Sequence, residues 1–115
     1  MKRILRFYRT VDNRCLVEDF LDSLSDDLLA KIVAVFKLVE DLDRVPAKFF
    51  KKLAGTKLYE IRVEWQSNIY IFPCFFHKNS LVIVTHGFQK KTMKTPAKEL
   101  DKANKYREDF LRRNK

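Results

Sequence analysis

A single α+β domain, with elements in the order β-α-α-β-β-β-α, is what this sequence predicts. Three observations carry that expectation. Two acidic segments before residue 44 hold apolar residues at helical spacing. Three segments between residues 58 and 88 alternate or run apolar, separated by short polar turns. A Thr95-Pro96 pair then opens a last amphipathic stretch.

Ile4 to Tyr8 reads as a first strand. Leu16 to Leu24 places Leu16, Phe20, Leu21 and Leu24 on one helical side and Glu18, Asp19 and Asp22 on the other. Ser25 suits the N-cap of a second helix, because Asp26 and Asp27 fall where the helix dipole favours negative charge. That helix reads to about Asp43, with Leu28, Ile32, Val35, Val39 and Leu42 as its core stripe, widened by Leu29 and Phe36. The two helices make an αα-hairpin that ends before Pro46.

Ala47 to Leu53 is short, basic and aromatic, and Gly55-Thr56 turns the chain. Along Leu58 to Trp65, Tyr59, Ile61, Val63 and Trp65 should face a core, and Glu60, Arg62 and Glu64 an open face. Ile69 to Phe76 and Leu81 to Phe88 follow as nearly all-apolar strands of an antiparallel meander. Pro73 removes a ladder donor, so a bulge or a shortened strand is expected there. After a basic loop from Gln89 to Lys94, Thr95 should cap a helix of about twenty residues with Pro96 at its first position. Its apolar stripe (Ala97, Leu100, Ala103, Tyr106, Phe110, Leu111) is thin, so it should lie on the surface with a wide basic side.

One domain fits 115 residues. The net charge of +9 is unevenly placed. Residues 12–44 hold nine acidic and four basic groups, whereas residues 89–115 hold ten basic and four acidic ones. The basic part calls for a polyanionic partner: nucleic acid, an anionic membrane or an acidic protein. No apolar run reaches the ~18 residues of a membrane span, and Arg6 and Arg9 interrupt any signal-like segment, so a cytoplasmic protein is expected. Cys15 and Cys74 form no paired motif and read as buried free thiols. Cys74-x-x-His77 has metal-like spacing, but strand alternation sends the two side chains to opposite faces, and no metal or other cofactor is expected. Two glycines leave no room for a Gly-rich phosphate loop.

The runs Leu58-Tyr59-Glu60-Ile61-Arg62, Asn68-Ile69-Tyr70, His86-Gly87-Phe88-Gln89-Lys90-Lys91-Thr92 and Lys94-Thr95-Pro96 resemble the RelE/HigB superfamily of bacterial type II toxin–antitoxin toxins, in its phage-derived HigB-like branch. The resemblance covers nearly the whole chain. It implies a RelE-like fold and a metal-independent endoribonuclease that cuts mRNA, often on the ribosome. It also implies a helix-turn-helix antitoxin as partner. The family's catalytic arginine matches Arg62, and its basic positions after the last strand match Lys90 and Lys91. Where the family has Tyr then Arg on the third strand, this chain has Tyr70 then Ile71. A weakened or non-catalytic relative, or a ParE-like toxin directed at gyrase, is the alternative.

The chemistry of RNA cleavage needs a base for the 2′-hydroxyl, cations for the phosphate and an acid for the leaving oxygen. Arg62 has a fork that fits two phosphate oxygens, although by its residue pattern alone an ion pair with Glu60 or Glu64 is the simpler reading. The adjacency of Lys90 and Lys91 suits one of them to proton transfer. His86 borders that loop and is kept as a catalytic candidate, although its alternation with Val82 and Val84 reads first as packing. Tyr70 and Tyr106 could stack on bases or simply pack. Lys57, Lys94, Lys98 and Lys102, with Tyr70, are the candidate RNA contacts, phosphates being the natural target of the lysines.

Overall fold

The computed structural model describes residues 2–115. Strand β1 (Ile4–Phe7) leads into α1 (Leu16–Asp22) and α2 (Asp26–Asp41). Ser25 caps α2 as its sequence predicts, its Oγ accepting from the Leu28 N–H at 3.3 Å. Leu28, Ile32, Val35, Phe36 and Val39 bury the inner side of α2, while Leu42 is left exposed beyond its end. In α1 the one fully enclosed side chain is Val17, which the helical spacing had not singled out.

Then come β2 (Phe50–Lys52), β3 (Tyr59–Trp65), β4 (Asn68–His77), β5 (Leu81–Val84), β6 (Phe88–Lys90) and α3 (Ala97–Arg113). The sheet runs β1-β5-β4-β3-β2, with β6 also pairing β4. The α+β class holds among the described residues, with three helices and a six-stranded sheet.

Three details depart from the expected meander. First, the sheet is mixed: β1 lies parallel to β5, with Ile4 opposite Leu81. The helical hairpin between β1 and the rest is long enough to carry the chain across, which a parallel neighbour requires. Second, Phe50–Lys52 is a strand, added antiparallel to β3. Third, the expected strand from Leu81 to Phe88 is two strands. The β4–β5 ladder stops at Cys74–Val84, and the β4–β6 ladder starts at Ile71–Phe88.

Pro73 explains that break. Its carbonyl accepts from the Thr85 N–H at 2.9 Å. Its nitrogen faces the same side and has no hydrogen to return the bond. The pair is half made, and the chain leaves the ladder at Thr85-His86-Gly87 before rejoining as β6. The bulge expected from Pro73 therefore falls in the neighbouring segment, while β4 runs through. Gly87 lets the detour sit close. A Cβ there would lie 2.5 Å from Phe72 Cε1 and 2.8 Å from Phe20 Cδ2.

Each face of the sheet has its own core. The hairpin covers Ile61, Val63, Tyr70, Phe72, Cys74, Val82 and Val84. Helix α3 covers Leu58, Phe75 and Ile83 on the other face, through Ala103, Leu100, Tyr106 and Phe110. Its N-cap is Pro96 and not the expected Thr95, and no side chain caps it. The Thr95 hydroxyl instead donates to Glu60 Oε1 at 3.4 Å.

At the free edge of β1, the Arg3 N–H donates to the Glu40 carbonyl at 3.1 Å and the Leu5 N–H to Glu40 Oε2 at 3.0 Å. The Arg3 guanidinium also donates to the Val39 and Leu42 carbonyls at the end of α2. Both cysteines are buried and free, and burial pushes the Cys74 thiol pKa up. No described helix is long and apolar enough to cross a membrane.

Candidate active site

Helix α3 covers only part of its face, and the strand register divides that face into rows. Glu60 is opposite Pro73, Arg62 is opposite Ile71, and Glu64 is opposite Ile69. Strand β6 extends two of these rows, placing Phe88 beside Ile71 and Lys90 beside Ile69. Directly opposed residues share a face of a sheet. Arg62, Glu64 and Lys90 therefore share a face with Ile69, which is half-buried, and with Ile71 and Phe88, which are buried. Two strand spacings and a two-residue offset put the Cα atoms of Arg62 and Lys90 about 12 Å apart. Two long cationic side chains can converge on one phosphate across that gap.

The Arg62 guanidinium is 3.1 Å from Glu64 Oε1. The Arg62 side chain is 26% exposed and that of Glu64 66% exposed, so the arginine is reachable and its partner is solvated. The ion pair anticipated as the simpler reading thus forms with Glu64. Lys90, Lys91, Thr92 and Met93 line a shallow cleft of about 460 Å³ together with Ser67, Asn68, Ile69 and Gln89. The Gln89 amide holds the cleft against the β3–β4 turn, donating to Asn68 Oδ1 at 3.1 Å. Lys91 is exposed just beyond the end of β6.

His86 is placed differently from its sequence expectation. It lies past the end of β5 and is 6% exposed. Its Nδ1 is 2.9 Å from Thr85 Oγ1, and its Nε2 is 3.2 Å from Glu99 Oε1. Phe88 stacks on one side of the ring, and Tyr106 meets it edge-on. Burial holds its pKa below the ordinary imidazole value, with Glu99 opposing. The imidazole is thus a buried tie between the sheet detour and α3.

Tyr70 is 7% exposed on the hairpin face, beside Phe20, and is separated from Arg62 by the sheet. Tyr106 packs on Tyr8 at 5.1 Å between ring centroids. Cys74 and His77 take opposite faces, the thiol in the hairpin core and the imidazole against Phe110. Lys57, Lys94, Lys98 and Lys102 are all exposed. Lys57 lies five residues before Arg62, about 16 Å along the chain. Lys102 is drawn to Glu99 at 3.5 Å. These lysines can border the site but do not form its centre.

Three residues near the site were not proposed for it from the sequence: Lys31, Lys48 and Glu60. Lys48 and Lys31 line a cleft of about 230 Å³ beside Phe49 and Glu64, and Lys48 Nζ stands 4.9 Å over the Phe49 ring. Glu60 is 1% exposed although alternation put it on the open face. Its Oε2 has no hydrogen-bond partner among the described residues. Its other oxygen, Oε1, accepts from the Thr95 hydroxyl at 3.4 Å, a contact that no periodicity reports.

Residues 19–108 match the family model described as Phage derived protein Gp49-like (DUF891). The chain belongs to the Gp49-like family. This is a phage-derived family of RelE-like toxins of toxin–antitoxin systems. No curated protein matches the chain. The Gp49-like match includes every residue of the rows around Arg62, the Lys90–Lys91 cleft and Thr95. It omits β1 and the last residues of α3.

Proposed function

We propose that this Gp49-like chain is the toxin of a toxin–antitoxin module and acts as a HigB-like, metal-independent endoribonuclease on mRNA engaged with the ribosome, with a helix-turn-helix antitoxin as its partner. The observation that carries the reading is the register that puts Arg62 and Lys90 on one face of the sheet, with the half-buried Ile69 beside Lys90. The cations suit a phosphodiester whose negative charge grows in the transition state. Lys90 or Lys91 would protonate the leaving oxygen. The lysines at 57, 94, 98 and 102 would add contacts to phosphates that do not read sequence.

Induction of the chain in bacteria, followed by mapping of RNA 5′ ends, tests this. Cuts in mRNA that vanish with Arg62→Ala and with co-expressed antitoxin are the expected result. Arrest without cuts would reject the nuclease reading.

Ile71 favours a second reading, in which the chain binds RNA but cleaves it weakly. It is fully buried and directly opposite Arg62, where the related toxins carry a further arginine. Purified protein that binds single-stranded RNA and leaves it intact, with or without ribosomes, would select that reading.

A further inference from the structure

The proposed chemistry has its cations and its acid in Arg62, Lys90 and Lys91, but these supply no group to accept the 2′-hydroxyl proton. The other candidates bordering the site are engaged. His86 has both ring nitrogens in contact, with Thr85 and Glu99. Glu99 is shared between His86 and Lys102. Glu64 is paired with Arg62 and open to solvent.

Glu60 stands apart. It is two residues from Arg62 on the same face, about 7 Å away between Cα atoms. One of its oxygens is buried with no partner among the described residues, a condition that native structures rarely show. Resting on the endonuclease reading, we propose that Glu60 is the proton acceptor of the cleavage reaction, and that Thr95 conceals it until RNA binds.

A single 3.4 Å hydrogen bond joins Thr95 to Glu60 Oε1, and the segment that carries it begins an uncapped helix. Lys90, Lys91 and Lys94 lie on the same stretch. A phosphodiester drawn to those lysines pulls on the segment that holds Thr95.

With Glu60 uncovered, its Oε2 takes the proton from the 2′-oxygen. The O2′–H bond breaks, the O2′–P bond forms, and the P–O5′ bond breaks with its electron pair passing to O5′. The ammonium of Lys90 or Lys91 gives O5′ its proton. The products are a 2′,3′-cyclic phosphate and a 5′-hydroxyl, and no further reactant enters. The charged and titratable groups around Glu60 are Lys51 directly opposite on β2, Arg62 and Glu64 on its own strand, Lys94 next to Thr95, and the Cys74 thiol behind it on β4.

The test is single-turnover cleavage of a labelled single-stranded RNA across a range of pH, with ribosomes added in a parallel arm, and RNA affinity measured by anisotropy. Glu60→Gln should slow cleavage about 100-fold or more and remove the rise of rate with pH on the acid side, while RNA affinity stays within about threefold. Glu60→Gln that cleaves like the wild type, with the same pH profile, overturns the proposal and leaves the endonuclease reading standing. Absence of wild-type cleavage in both arms overturns both.

If Glu60→Gln does not fold, Glu60→Asp carries the test, since it keeps the charge and shortens the reach. A loss of about tenfold in rate at unchanged affinity supports the proposal, and an unchanged rate overturns it. Thr95→Val, which removes the covering hydroxyl, should cleave at least as fast as the wild type. A tenfold slower Thr95→Val would overturn the covering role.

Discussion

The guanidinium of Arg62 lies 3.1 Å from the Glu64 carboxylate, its neighbour two positions along the same face of β3, although Glu60 is equally near in sequence. An ion pair with so exposed a partner contributes less than about 1 kcal/mol and exchanges readily for a phosphate. Arg62→Ala should therefore lower RNA cleavage by about 10²- to 10³-fold with little change in melting temperature. Glu64→Gln should tighten RNA binding, because it frees the arginine and removes a negative charge from the site. Fluorescence anisotropy and gel-resolved cleavage would measure both effects. Weaker binding by Glu64→Gln would show that the ion pair holds Arg62 in its working position.

Ile71→Arg places a second guanidinium directly across from Arg62, between it and Phe88. Added positive charge beside the scissile phosphate should raise the cleavage rate by about tenfold or more. It should also lower stability, because Ile71 is fully buried and its replacement must carry a charge out of that environment. A lower melting temperature with faster cleavage is the expected pair of results. An unchanged rate would count against the idea that Ile71 limits the site.

His86 makes stability depend on pH. Burial holds its pKa in the folded chain below that of the unfolded chain. As pH falls through about 6.5, the unfolded chain takes the proton first. The contribution is thus fully present above that pH and is lost below it. Chemical denaturation should show stability declining from pH 7 to pH 5, and His86→Gln should flatten that decline. Asp109 acts in a separate range. The Arg113 guanidinium and the Tyr8 hydroxyl hold its carboxyl pKa down to about 2, so its contribution is present above about 4 and fades toward 2.

Much of the frame was legible because it rests on local rules. Ser25, the apolar spacing of α2 and the alternation along β3 each state a structure within a few residues. The resemblance also led to Arg62 and the Lys90–Lys91 pair. Long-range effects were not legible. Nothing near Ile4 says that it runs parallel to Leu81. The missing donor of Pro73 announced a disturbance but not that Thr85–Gly87 would absorb it. Thr95-Pro96 reads as a cap by local chemistry, yet the threonine turns to a carboxylate 35 residues earlier in the chain. The burial of Glu60, on a strand whose alternation put it on the open face, was equally hidden.

Gly87→Ala should destabilise the fold by about 1–3 kcal/mol, because the added methyl meets the Phe72 and Phe20 rings. Urea denaturation would measure the loss. The combined variant Phe20→Leu with Gly87→Ala should recover part of it by opening space. A stable single variant would mean that the detour shifts freely, and Lys90 with it.

The parallel pairing of β1 has a consequence for assembly in time. Ile4 is made early but can pair only after Leu81 has been made. The first strand thus waits through the synthesis of both hairpin helices and most of the sheet, while β6 and its Lys90 come later still. Closing so long a loop is slow compared with forming the hairpin. A partly synthesised chain consequently holds the arginine of the site without the lysines that complete it, which would give a host cell an interval in which the protein exists but cannot act.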